Sequence, residues 1–145
     1  MSEENIRIVL ASRPQGVPTE DNFRLETAPI PDLKEGEVLI RTRFLSVDPY
    51  MRGRMNAGAS YAPGVELDEV MVGGAVGDVV ASCHPHFAEG DVAQAPIGWQ
   101  SHGIAFGEDA HKVDPRLGPI STALGVLGMP GMTAYFGLLD VGQPC

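Results

Sequence analysis

Three short stretches of this 145-residue chain hold side chains that could do chemistry: Ser46-Val47-Asp48-Pro49-Tyr50-Met51-Arg52-Gly53-Arg54-Met55, Cys83-His84-Pro85-His86, and Gly128-Met129-Pro130-Gly131-Met132-Thr133-Ala134-Tyr135. In the first, Pro49 fixes its own φ and drives Asp48 toward an extended conformation, so stiff backbone aims Tyr50. A phenol with a pKa near about 10 is a protonated donor at neutral pH, suited to a carbonyl oxygen that is gaining negative charge. The same residues also read as a turn tyrosine half buried against the body of the domain, with Arg52 and Arg54 paired to local acids. In the second stretch thiolate and imidazole are zinc-ligand types, but two ligands one residue apart need outside help, and His102 and His111 lie in other segments. A loop leading into the turn Ala88-Glu89-Gly90-Asp91 is the simpler reading, and the chain has neither a Cys-x-x-Cys nor a His-Glu pair. In the third, glycines permit close backbone approach, but the lysine of a phosphate loop and the glycine spacing of a dinucleotide turn are both missing.

Strands must position the first stretch. After the turn Lys34-Glu35-Gly36, the run Glu37 to Val47 alternates, with Val38, Ile40, Thr42 and Phe44 on one face and Leu39, Arg41, Arg43 and Leu45 on the other. One face is expected in the core and the other partly wet, and the Tyr50 loop then sits at a strand end, where substrates are commonly met. Further strands are expected over Asn5 to Ala11, Phe23 to Ala28, Ala75 to Ser82, Val92 to Ala95 and Trp99 to Phe106. Short strands with many turns, 18 glycines and 12 prolines, argue for a mainly β domain, a small barrel or sandwich that limits its exposed edges.

The composition narrows the function. An apolar fraction of 43% with 20% charged residues describes a folding globular chain of about one domain. A net charge of −9 repels phosphate backbones and anionic lipid headgroups, so neither nucleic acid nor a membrane surface is an expected partner. The N-terminus has no basic and apolar signal pattern, so a cytoplasmic location is expected. Cys83 and Cys145 make no disulfide framework and read as free thiols. Between Arg54 and Lys112 there is no Lys or Arg, while Glu66, Asp68, Glu69, Asp78, Glu89, Asp91, Glu108 and Asp109 fall there, as a solvated acidic face would have it.

From Gly118 to Leu139 the chain carries no charge. Its glycines and prolines make it a poor membrane helix and fit two short helices better. Ser121 can cap the first, to about Leu127, and Pro130 can sit in the opening turn of the second, which ends near Leu139 with Gly142 as its stop. Met132, Phe136 and Leu139 share a face of that second helix, which needs a cover. A further domain and folding back onto the same chain both supply one.

Three segments together resemble the zinc-independent branch of the medium-chain dehydrogenase/reductase superfamily, the NADPH-dependent double-bond reductases that include curcumin, alkenal and prostaglandin reductases. They are Leu45 to Met55, Val70-Met71-Val72-Gly73-Gly74, and Leu124 to Leu139, the last being the most specific. The resemblance implies a GroES-like, partly open β-barrel over residues 1–118 and, over 119–145, a helical connection toward an absent Rossmann domain. It implies hydride transfer from NADPH to the β-carbon of an α,β-unsaturated ketone or aldehyde, with Tyr50, and secondarily Tyr61, as donors to the oxygen. Met129 and Thr133 correspond to positions beside the nicotinamide. Asp48-Pro49-Tyr50 stands where zinc-dependent relatives carry a cysteine ligand, so no zinc is expected. The full-length parent is expected to be a homodimer acting on a small molecule, and this piece alone to be inactive. The competing expectation is a free-standing GroES-like binding or co-chaperone module.

Overall fold

The computed structural model describes residues 4–58 and 62–144. Strands β1 (Glu4–Leu10) and β2 (Phe23–Pro29) pair antiparallel over their whole length. Strands β3 (Glu37–Leu45), β4 (Ala75–Ser82), β5 (Val92–Ala95), β6 (His102–Phe106) and β7 (His111–Lys112) form an antiparallel sheet in the order β6-β3-β4-β5-β7. The two sheets are stitched rather than fused. Ile8 donates its N–H to the Trp99 carbonyl at 2.9 Å and accepts from Met71 N–H at 3.0 Å, while Ser101 donates to Ile6 at 2.7 Å. The result is the partly open β-barrel expected, without closure into a full ring.

The two acidic-glycine turns share one mechanism. Gly36 and Gly90 adopt φ of 84° and 90°, a region that costs a side chain but not glycine. The acid that follows each then accepts a backbone N–H three residues back, Glu37 from Lys34 at 2.8 Å and Asp91 from Ala88 at 2.8 Å.

Two apolar clusters fill the interior. Val38, Ile40, Ala75, Val79, Phe87, Ala93, Ala95 and Ile97 form one between the faces of the five-stranded sheet. Leu10, Met51, Met55, Val65 and Met71 form the other under β1, with Phe23, Tyr50, Val72 and Trp99 packed against it.

The structure corrects or refines the sequence reading in four places. The alternation of β3 holds only to Thr42, because the register against β4 shifts between Thr42 and Phe44. A bulge of this kind turns the following residues over, so Leu45 packs on the core while Phe44 is 45% exposed. The acids are mostly wet, with Glu66, Asp68, Glu69, Glu89, Glu108 and Asp109 exposed, but they are not left uncompensated. Asp78 meets Arg41 and Arg43, Asp91 meets Lys112, Glu66 meets Arg13 and Asp68 meets Arg24, so basic residues from outside the acidic stretch are drawn onto it. The first C-terminal helix is a 3-10 turn, Ile120–Leu124, begun by Pro119 rather than Ser121; Thr122 returns both its N–H and its hydroxyl to the Pro119 carbonyl. The second, α2 (Met129–Phe136), begins with Pro130 in its opening turn as expected. It then widens into a π-helical stretch, Gly137–Gly142, and Gln143, not a glycine, takes the left-handed position with φ 42°.

Candidate functional site

The loop after β3 is locked from both sides. Ser46 N–H donates to the Gly74 carbonyl at 2.9 Å, and the Ser46 hydroxyl donates to Asp48 Oδ2 at 2.5 Å. Asp48 in turn accepts Met51 N–H at its carbonyl, at 3.0 Å, which starts a one-turn helix, α1 (Tyr50–Arg54). Pro49 precedes it with φ −56° and ψ −32°, so the proline's fixed φ serves as a helix start, a use that the extended-turn reading of this loop overlooks. Met51, 2% exposed, anchors α1 in the core under β1.

The structure places Tyr50 as the turn-tyrosine reading has it, and also at a cavity. It is half-buried against that core cluster, and it also lines a cleft of about 590 Å³. Arg52 beside it differs from expectation. Among the described residues it pairs with no acid; it donates to the Gly16 carbonyl at 2.8 Å, the Pro14 carbonyl at 3.2 Å and Asn56 Oδ1 at 2.6 Å, tying α1 to the loop between β1 and β2. These carbonyls come from a segment whose approach to α1 no local spacing announces.

The Gly73-Gly74 pair beside the cleft is glycine for a steric reason. A Cβ on Gly73 would lie 2.9 Å from the Trp99 ring and 3.1 Å from the Met51 methyl, in the cluster against which Tyr50 packs. Gly74 itself lines the cleft, with Leu124 and Gln94 the nearest side chains to it.

The remaining walls come from distant parts of the chain. Strand β5 contributes Gln94 and then Pro96; β7 and the segment after it contribute His111, Lys112, Asp114 and Leu117; the C-terminal segment contributes Leu124, Leu127, Met129 and Met132. Tyr50 and Met129 therefore meet in one cavity. Thr133 lies on α2, exposed, and is not among the lining residues. Tyr61 lies outside the described residues. Sequence reasoning missed Gln94, although the alternation of Val92-Ala93-Gln94-Ala95 carried the signal: Ala93 and Ala95 are core, which leaves Gln94 on the cleft side.

Charges at the rim are neutralised within the protein. Lys112 Nζ sits 2.7 Å from Asp91 Oδ2 and 5.7 Å from the Phe87 ring centre. Its hydrogen bond, with that of Ala88 N–H, holds the Asp91 carboxyl below the usual range. Arg116 grips Asp114 through both carboxylate oxygens, which brings that carboxyl down to about 2. The cleft thus offers an apolar wall, one phenol and few uncompensated charges, suited to a neutral ligand.

Cys83-His84-Pro85-His86 stands apart from this cleft. Cys83 is exposed, His84 Nδ1 accepts the His86 N–H at 3.3 Å, and the His84 ring packs on Gly107 and beside Phe87. Among the described residues no group of three His, Cys, Asp or Glu side chains could hold a metal ion, and no helix is long and apolar enough to cross a membrane.

Comparison with known proteins identifies the domain. Residues 7–113 match a family model described as the N-terminal domain of oxidoreductase. The chain is 52% identical over 142 residues to the NADPH-dependent curcumin reductase of Escherichia coli (strain K12), covering 98% of this chain and 41% of that one. It is 44% identical over 129 residues to prostaglandin reductase 1 of Bos taurus, covering 87% of this chain and 37% of that one. The crystal structure of CurA in complex with NADPH from Vibrio vulnificus superposes with a TM-score of 0.89 at 51% identity, over 96% of this chain and 41% of that one. The chain therefore spans about two fifths of the length of these relatives.

Proposed function

Because the chain belongs to the N-terminal oxidoreductase domains of the medium-chain dehydrogenase/reductase superfamily, we propose that it forms the substrate side of a metal-independent, NADPH-dependent enzyme that reduces the C=C bond of α,β-unsaturated ketones and aldehydes. The observation that carries this reading is the meeting of Tyr50 and Met129 in one cleft. NADPH, when bound, supplies hydride to the β-carbon of the enone.

What this chain contributes follows from its own side chains. The Tyr50 phenol donates a hydrogen bond to the substrate oxygen and so stabilises the enolate that forms there, an electrostatic contribution made without a metal ion. The Ser46–Asp48 lock and the buried Met51 hold α1 still, so the phenol does not have to be reoriented during reaction. Leu127, Met129 and Met132 give an apolar wall that fits the uncharged dihydropyridine face of the cofactor and excludes water from the reacting carbons. Thr133, one turn further along α2 and exposed, would be the second residue of this segment to meet the cofactor. Tyr61 is the second candidate donor. The cofactor's phosphates need other residues, since the rim lysine of this chain is already paired with Asp91.

The exposed apolar side chains of the C-terminal segment support residues 119–145 as the connection to a nucleotide-binding domain. Met132, Tyr135, Phe136, Leu138 and Leu139 are all about half exposed. A free-standing binding module is the weaker reading, because such a surface would lower its solubility. The isolated piece is then inactive, and the full-length parent is a cytoplasmic homodimer.

The test is Tyr50→Phe in the full-length enzyme. Turnover of an enone such as 3-nonen-2-one falls on the order of 10²-fold with the KM for NADPH unchanged. Full turnover by the variant would remove Tyr50 from this role, and the same substitution at Tyr61 then identifies the donor.

A further inference from the structure

The polar side chains that line the cleft are not equivalent. Ser46 and Asp48 hold each other, Lys112 is held by Asp91 and Asp114 by Arg116. Gln94 differs from all of these. It is half-buried, it lies on a strand paired on both sides, and its carboxamide makes no hydrogen bond to any described residue. Backbone register fixes its place, since Gln94 stands opposite Val76 on β4 and opposite His111 on β7. Its Nε2 lies 3.7 Å from the point where a Cβ on Gly74 would be, so the missing side chain at Gly74 leaves the carboxamide open to the cavity.

A half-buried amide with no partner among the described residues keeps its donors and its acceptor available to whatever enters the cleft. Its neighbours make the contrast sharper: Leu124 approaches the same point beside Gly74, and Pro96 follows two residues on in the cleft wall.

We infer that Gln94 is a second polar anchor of the substrate cleft, binding an oxygen of the substrate other than the reacting carbonyl, and so selects enones that carry a hydroxyl or second carbonyl. The carboxamide can donate to or accept from such an oxygen, which suits either group. Its role is in binding and specificity, since it stabilises substrate and transition state alike. The inference rests on the enone reading for the identity of the reacting bond, while the contact with Gln94 can be measured without turnover.

Two enones of one skeleton, one ending in a methyl and the other in a hydroxyl, are compared in the full-length enzyme. Gln94→Leu raises the KM for the hydroxy enone roughly tenfold, the effect of one lost hydrogen bond, and leaves kcat and the KM for the methyl enone unchanged. Equal losses for both substrates would mark Gln94 as structural and overturn the inference. A second measurement follows the side-chain ¹⁵NH₂ signal of Gln94, assigned by its absence in Gln94→Leu, during titration with the saturated, non-reducible hydroxy ketone. A shift supports the anchor and an unmoved signal overturns it. Should the wild type reduce neither enone, the enone reading fails by itself, and the amide signal still decides the role of Gln94.

Discussion

The barrel and the C-terminal segment of this chain are built on opposite terms. In the barrel, Val9, Leu10, Val38, Ile40, Val76 and Val79 have essentially no exposed surface, and every strand finds a hydrogen-bonded neighbour. In α2 and the π-helical stretch no residue is buried, although the sequence there is as apolar as any strand. Apolar character alone therefore does not place a residue inside; it needs an opposing surface. The last buried residue of the C-terminal segment is Ile120, in the 3-10 turn that leans on the barrel. The cleft lies along this boundary, with one wall fixed by packing and the other held only by the connection through that turn.

The comparison is broken most directly by truncating one side chain in each part. Ile40→Ala removes a fully buried side chain and should cost about 2–5 kcal/mol of stability. Phe136→Ala removes a larger side chain yet should cost under about 0.5 kcal/mol in the chain as described, because that side chain is 47% exposed. Urea unfolding of the two variants beside the wild type measures both, and equal costs would mean that α2 packs against the barrel in solution.

A smaller effect sharpens the boundary within β3. The bulge predicts that Leu45→Ala loses about 1–2 kcal/mol and that Phe44→Ala loses less than half of that, the reverse of what side-chain size suggests. Unfolding midpoints that rank the pair by size would restore the uninterrupted alternation.

The smallest effect lies at the cleft rim. The Asp114 carboxyl is held at about 2, below its unfolded value near 4, so the stability it contributes is present above about pH 4 and is lost as pH falls toward 2. Asp114→Asn should therefore lower the melting temperature slightly, by about a degree, at pH 7 and not at all near pH 2, since the pair is exposed. A shift that persists in acid would mean that Asp114 acts through something other than its charge.

Most of the fold was legible because it rests on local rules. Alternation marked β1 to β6 to within a few residues, and the Lys34-Glu35-Gly36-Glu37 and Ala88-Glu89-Gly90-Asp91 turns announced themselves through glycine and the acid after it. Three features were not legible. The two-residue strand β7 is too short to have a pattern and exists because β5 offers it an edge. The bulge near Arg43 lies beside a close approach of β3 to β4, where a Cβ on Gly77 would collide with the Arg41 carbonyl, and no spacing within β3 encodes it. Much of the cleft wall was invisible because Gln94, Lys112 and Leu124 belong to segments that meet only through the sheet order. Tyr50, by contrast, stood out from its own surroundings, because Pro49 stiffens the backbone just ahead of it.

The irregularity in β3 divides the labour of a single strand. Up to Ile40 its inward side chains serve the barrel; past the slip in register the sense of inside and outside is exchanged, and the strand delivers Ser46 and Asp48 to the cavity mouth. Shortening the strand by a single residue at that slip would rotate everything downstream by half a turn, carrying the hydroxyl–carboxylate clasp away from the cleft while the barrel behind it stayed whole.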